Sequence, residues 1–160
     1  MRETLEELSI AYPNSALNLD LGGAKGPAPG ERILDAPLVR AADQATTSIW
    51  AEAPTDAWTL LIFTGTAPEK LALHDLTTEV RRDYGGRIRL LVITSSATVP
   101  AEWSAVDALM LDVLTRAHDR YGANDGVCYL LRPDTVVAVR APIAEWDRVN
   151  QHLSSIFTRT

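Results

Sequence analysis

The residue types that carry redox and nucleophilic chemistry are few in this chain and lie far apart. There is one cysteine, Cys128, and the histidines are His74, His118 and His152. No two histidines have metal-ligand spacing with a cysteine or carboxylate beside them, so we expect all three to lie on the surface. A single cysteine forms no internal disulfide, which is compatible with a reducing cytoplasm.

The best-placed position for chemistry follows the first long apolar run. Residues 58–64, Trp-Thr-Leu-Leu-Ile-Phe-Thr, have no polar alternation and predict a strand buried on both faces. In an open α/β sheet, ligands and reacting groups gather where such a strand meets the next helix. Here that junction is Gly65-Thr66-Ala67-Pro68, with no Cys, His, Lys or acidic residue before Glu69. We therefore predict no catalytic residue there.

Hydrophobic spacing predicts the elements around this junction. A helix over 69–84, ended by Gly85-Gly86, leads to a second strand at 87–94, which makes a right-handed βαβ unit. A short strand over 106–112 and a helical turn over 114–121 follow. A hairpin then joins 127–131 to 136–140, and the last helix has Pro142 in its first turn.

The order β-α-β-(β/α)-β-β-α predicts an α/β protein with the thioredoxin-like fold, a mixed sheet with flanking helices. A redox enzyme of this fold needs a low-pKa thiolate at the N-terminus of the helix after the first strand. Thr66 to Glu69 occupy that place, and Gly126 stands where redox members carry a proline before the hairpin. Cys128, inside a hairpin strand, is expected to be a small buried hydrophobe. We predict a redox-inactive member of the fold.

Composition sets the remaining bounds. With 160 residues and 46% hydrophobic content, we expect one globular body, an irregular leader over 1–56 packed on a thioredoxin-like domain over 57–160. The net charge of −6 argues against nucleic acid as a partner. No apolar run approaches the length of about 18 residues that a membrane span needs, so we expect a soluble cytoplasmic protein.

Several segments resemble one known family in the same order along the chain. They are Pro-Gly-Glu-Arg-Ile-Leu-Asp-Ala-Pro-Leu at 29–38, Leu-Leu-Ile-Phe at 60–63, Arg-Tyr-Gly-Ala at 120–123, Tyr-Leu-Leu-Arg-Pro-Asp at 129–134 and Val-Ala-Val-Arg at 137–140. Over about 8–157 the chain resembles the C-terminal domain of FAD-dependent aromatic hydroxylases, the phenol hydroxylase and polyketide hydroxylase group. It departs from that pattern at Glu31, where Asp is usual, and at Thr135, where Gly is usual. Because Thr resists a positive φ, we expect a different turn there.

The resemblance implies a non-catalytic thioredoxin-like module. In that family the domain is joined to a flavin domain and a substrate domain, and in some members it contributes to dimer contacts. FAD and the aromatic substrate belong to those other domains, so this chain is expected to bind no cofactor itself. The implied partners are a second copy or a flavoprotein, which would make the chain one part of an aromatic monooxygenase.

The remaining candidates are structural or interface residues. Asp134 is expected to cap its own hairpin turn, and Arg132 to anchor the leader by pairing with Asp35 or Glu31. Tyr121 is expected to be a packed ring with its hydroxyl bonded at the rim. The other candidates are Arg32 in the linker-like segment, Trp50 and Trp103 at an interface, and Trp58 and Trp146 in the core.

Two other functions stay open from the sequence. One is a thiol oxidoreductase of thioredoxin fold that uses Cys128 alone. The other is a binder of small aromatic ligands, with a pocket near Thr64-Gly65-Thr66, Ser95 and Gly126.

Overall fold

An eight-stranded mixed sheet forms the centre of the protein. The computed structural model describes residues 16–53, 56–66, 73–97 and 106–157. The strands are β1 (Leu19–Asp20), β2 (Pro37–Arg40), β3 (Thr46–Ser48), β4 (Trp58–Phe63), β5 (Ile88–Thr94), β6 (Ala108–Leu111), β7 (Val127–Leu131) and β8 (Val137–Pro142). Their order across the sheet is β1-β8-β7-β4-β5-β6-β2-β3.

Strand β4 lies in the middle of this sheet. It runs parallel to β5, with Leu61 opposite Leu91, and antiparallel to β7, with Leu61 opposite Tyr129. Residues 59–63 are all buried, as a strand covered on both faces requires. The parallel β4–β5 pair and the antiparallel β7–β8 hairpin confirm the predicted thioredoxin-like α/β fold.

Two layers cover the sheet. The helices are α1 (Ile49–Glu52), α2 (Leu73–Tyr84), α3 (Arg116–Tyr121) and α4 (Trp146–Ile156). Leu60 and Ile62 pack with residues of α2 and α4, whereas Leu61 and Phe63 pack with α1, α3 and the segment before β4. This alternation along one strand is why residues 60–63 of β4 are all apolar.

The expected irregular leader is more regular than its sequence suggests. Within 16–53 the chain forms β1, β2, β3 and α1, and β2 and β3 extend the sheet beyond β6. These strands have two to four residues, too few to show a hydrophobic period, and their pairing with β6 and β8 joins residues far apart in sequence. Apolar spacing along the sequence therefore could not predict these strands.

Two long-range contacts hold this segment on the domain. Arg140 makes a bidentate ion pair with Asp20, at 2.9 and 2.6 Å, beside the parallel pairing of β1 and β8. The Tyr121 hydroxyl accepts a hydrogen bond from the Leu34 N–H at 2.9 Å and donates one to the Leu34 carbonyl at 2.6 Å. Both contacts make residues 16–53 part of the folded body.

Two local expectations are wrong. Thr135 does adopt a positive φ, 66°, and the turn holds it there because its N–H donates to the Arg132 carbonyl and Asp134 accepts from the Val136 N–H. Pro142 is the last residue of β8, and a 3₁₀ turn at Ile143–Glu145 separates it from α4.

Replacing Tyr121 by Phe tests the attachment of the leader. We expect Tyr121→Phe to lower the free energy of unfolding by about 1–3 kcal/mol, because both polar groups of Leu34 lose their partner. Urea denaturation measures the loss, and hydrogen exchange should show faster exchange of the Leu34 amide. The control is Tyr84→Phe, since that hydroxyl bonds Asn150 on the opposite face. If both variants leave exchange at Leu34 unchanged, Tyr121 does not hold the leader.

Candidate functional site

The junction after β4 is closed by a neighbouring loop. Gly65 is buried with a φ of 77°, and a Cβ at this position would lie 2.7 Å from the Asn124 carbonyl oxygen and 2.9 Å from the Gly126 nitrogen. The Thr66 N–H donates to the same Asn124 oxygen at 2.9 Å. Only glycine fits this approach. The contact fills the space between Gly65 and Gly126 in which a ligand pocket was expected.

His118 also reaches this junction, contrary to the prediction that it lies on the surface. Its side chain is fully buried in α3, and its ring meets the Phe63 ring edge-on at 5.3 Å. Four residues separate the end of β6 at Leu111 from the start of α3 at Arg116, and His118 lies in the first turn of that helix. The contact between His118 and Asp112 was not predicted from the sequence.

The imidazole of His118 joins two elements through its two nitrogens. Nδ1 lies 2.8 Å from Asp112 Oδ2, and Nε2 accepts the Gly65 N–H at 3.0 Å. Because a backbone N–H always donates, Nε2 carries no proton, and the network assigns a neutral ring with its proton on Nδ1. The Ser95 hydroxyl completes the turn by donating to the Gly65 carbonyl at 2.7 Å.

Asp112 is held as a carboxylate at the start of α3. Burial acts to raise its pKa, but hydrogen bonds from the His118 ring and from the backbone N–H groups of His118 and Ala117 outweigh burial and hold the pKa below its usual value. The carboxylate therefore caps the helix and orients the imidazole.

This arrangement positions a turn and leaves no reactive group free. Both imidazole nitrogens of His118 are bonded, and both oxygens of Asp112 accept backbone N–H groups. The Ser95 hydroxyl is bonded as well, because it donates to the Gly65 carbonyl. Its chemistry is the tethering of Gly65 to α3.

The environment of Cys128 does not favour a reactive thiol. It lies in β7 opposite Ile62 and has no solvent exposure. Burial raises its pKa to about 12, so the group is a protonated thiol at neutral pH.

The structure places the predicted hairpin and linker residues as follows. Asp134 accepts the Val136 N–H at 3.2 Å and pairs with Arg132 at 3.0 Å. Asp35, the expected partner of Arg132, accepts the N–H groups of Ala36 and Trp50. Glu31 accepts the Ala28 N–H, and Arg32 is exposed where its backbone bridges to Val136.

The four tryptophans have different surroundings. The ring of Trp50 is 59% exposed, although its Nε1–H donates to the Ile33 carbonyl at 3.1 Å. Trp58 meets Phe157 edge-on at 5.2 Å, and Trp146 is buried in the core. Trp103 lies outside the described residues.

Within 16–53, 56–66, 73–97 and 106–157, no group of three or more His, Cys, Asp or Glu side chains is arranged to hold a metal ion. Nor does any helix in these ranges combine the length and the apolar character needed to cross a bilayer.

Known structures with the same fold fall into two groups. No family model matches the chain, and no curated protein does. The flavin-dependent monooxygenase PieE, solved with FAD and substrate, superposes with a TM-score of 0.62 and 18% identity over 93% of this chain and 25% of its own. A putative protein disulfide isomerase from Bacteroides thetaiotaomicron gives 0.58 and 13% over 85% and 92%. A thiol peroxidase from Chromobacterium violaceum gives 0.55 and 16% over 91% and 95%.

These similarities establish the thioredoxin-like fold. The chain spans a quarter of the monooxygenase but nearly the whole of the two thiol proteins. At 13–18% identity the likeness is one of backbone arrangement, so function has to be argued from the residues of this chain.

Replacing Asp112 by Asn tests the buried network through its pH dependence. Because the folded pKa lies below the unfolded one, the carboxylate stabilises the fold above pH about 4, and this contribution is lost as pH falls through the folded pKa. We expect Asp112→Asn to lower the free energy of unfolding by about 1–3 kcal/mol at pH 7 and to flatten its decline in acid.

Urea denaturation at a series of pH values measures this effect. The control is Asp119→Asn, an exposed carboxylate on the same helix, which should keep the acid decline of the parent chain. A decline in Asp112→Asn as steep as in the parent would show that the buried carboxylate is not held in its charged form.

Proposed function

We propose that this chain is a non-catalytic docking module of a flavin-dependent aromatic monooxygenase, with FAD and substrate held by a partner or by other domains. One observation carries the proposal. At the junction where thiol enzymes of this fold need a sulfur, Gly65 is bonded to the buried His118 and packed against Asn124. Of the residues at this junction the structure describes Gly65 and Thr66, and both are hydrogen-bonded to neighbouring segments.

The extent of the match to the monooxygenase supports this proposal. The match covers 93% of the chain. Because so little of the chain is left out, the match includes most of the residues before β4. Those residues are built into the sheet by β2 and β3 and by the Tyr121 and Arg140 contacts. The leader and the domain therefore form one body, which suits a module that acts through its surface.

Trp50 is the residue we assign to the contact with the flavoprotein. Its indole N–H and its backbone N–H are both bonded within the chain, to Ile33 and Asp35, so the ring is fixed while most of its face meets solvent. A rigid exposed aromatic ring loses little entropy on binding, and such rings dominate the energetics of interfaces.

Light scattering after size-exclusion chromatography tests the module. The chain is mixed with an aromatic hydroxylase flavoprotein whose own thioredoxin-like region is deleted, and the visible absorbance of FAD is followed. We expect flavin and chain to elute together, and Trp50→Ser to weaken the complex by about 2 kcal/mol, roughly 30-fold. The control is Gln151→Ala, an exposed change on α4 at the opposite face of the sheet.

The result that contradicts the module is a chain that stays monomeric at every concentration and elutes apart from the flavin. Equal weakening by Trp50→Ser and Gln151→Ala would instead remove Trp50 from the interface.

A second candidate function is thiol oxidoreduction at Cys128, favoured by the thiol and disulfide activities named for several structures of the same fold. Burial of the thiol in β7 opposes it, because the sulfur is reached only when the strand opens.

Labelling with a chromogenic disulfide reagent decides between the two. We expect the native chain to react slowly at pH 8 and the urea-unfolded chain to react at once with one thiol, since unfolding exposes Cys128. Cys128→Ser is the blank. Rapid labelling of the native chain, together with disulfide or peroxide reduction that Cys128→Ser abolishes, would establish the thiol enzyme.

A further inference from the structure

A groove of about 290 Å³ opens beside strand β2. The β2–β6 ladder ends at the pair Val39 and Leu111, because Asp112 turns the chain into α3. Pro37 and Leu38 continue beyond that pair and have β3 on one side only. The groove is the space that the turning chain leaves uncovered.

The walls of this groove are mostly apolar and partly exposed, with Gln44, Thr46 and the buried Asp112 also among the lining residues. Leu38, 3% exposed, belongs to the core below, and Leu111 lies at the end of β6. Val113 is 52% exposed and Leu114 71% exposed, and together with Trp50 they are the large hydrophobic side chains that the described residues leave in solvent. Exposed apolar residues grouped around a groove indicate a binding surface.

One unpaired cation stands at the rim. Arg116 lines the groove, and among the described residues its guanidinium has no ion pair and no hydrogen bond. It is the first residue of α3, where the helix dipole disfavours a positive charge. The nearby Asp112 carboxylate is already bonded to His118 and Ala117, and Asp119 accepts the Thr115 hydroxyl. Arg116 is therefore free to bind an anion.

We propose that this groove binds a small amphipathic carboxylate, with its apolar body on Leu38, Leu111 and Leu114 and its carboxylate on Arg116. The volume is near the lower end for ligand sites and suits one aromatic ring or a medium alkyl chain. A single guanidinium matches a single carboxylate.

Amide chemical-shift titration of the full chain with 3-phenylpropanoate and with decanoate, kept below its micelle concentration, tests the site. Saturable shifts are expected at Leu38, Val39 and 111–116. The neutral probes 3-phenylpropanamide and decanol should bind at least roughly tenfold more weakly, because they lack the charge-assisted hydrogen bond to Arg116.

Two variants test separately the residues that contact the carboxylate and the apolar body of the ligand. Arg116→Gln should weaken the carboxylates roughly tenfold and leave the neutral probes unchanged, while Leu114→Ser should weaken both. The control Arg148→Gln, an exposed arginine on α4, should change neither.

Three results would overturn the proposal. They are equal affinity for charged and neutral probes, unchanged carboxylate binding in Arg116→Gln, and the absence of saturable shifts in the groove. Shifts of the same amides with protein concentration alone would assign the groove to a second copy instead and equally overturn it.

Discussion

The hydrogen bond from the Gly65 N–H to His118 Nε2 joins the end of the central strand to the helix that follows β6. It depends on Asp112, which holds the proton-bearing side of the ring and caps the same helix. It also depends on the absence of a side chain at Gly65, because Asn124 lies where a Cβ would be. A buried network pays for its desolvation only when every member is satisfied, and here each one is.

This interaction separates the chain from enzymes with the same backbone. A thiol enzyme keeps its junction open to substrate and places a sulfur in the field of a helix N-terminus. Here the turn after β4 is packed under residues 124–126, and Cys128 lies inside the sheet. The features that remain accessible to a partner or ligand include the fixed ring of Trp50 and the groove beside Leu38.

The sequence predicts the elements whose residues are buried throughout, but not the elements and contacts that depend on single long-range interactions. Runs such as 60–63 and 127–131 are apolar at every position, so the central strands and their order follow from hydrophobicity. Strands β2 and β3 are too short for a period and exist through pairing with β6. His118 is one of several polar residues in a six-residue helix, so the sequence does not single it out as buried. Its burial depends on the hydrogen bond to Asp112, six positions earlier. The Asp112 position, at the end of a strand and the start of a helix, was the available signal.

Nitrogen-15 NMR of the His118 ring tests the central claim most directly. The account predicts a neutral ring at pH 7 with its proton on Nδ1, and a coupling across the hydrogen bond between the Gly65 amide and Nε2. A proton on Nε2, or a ring that exchanges freely with solvent, would contradict it, since Gly65 would then have lost its acceptor and the junction would be open.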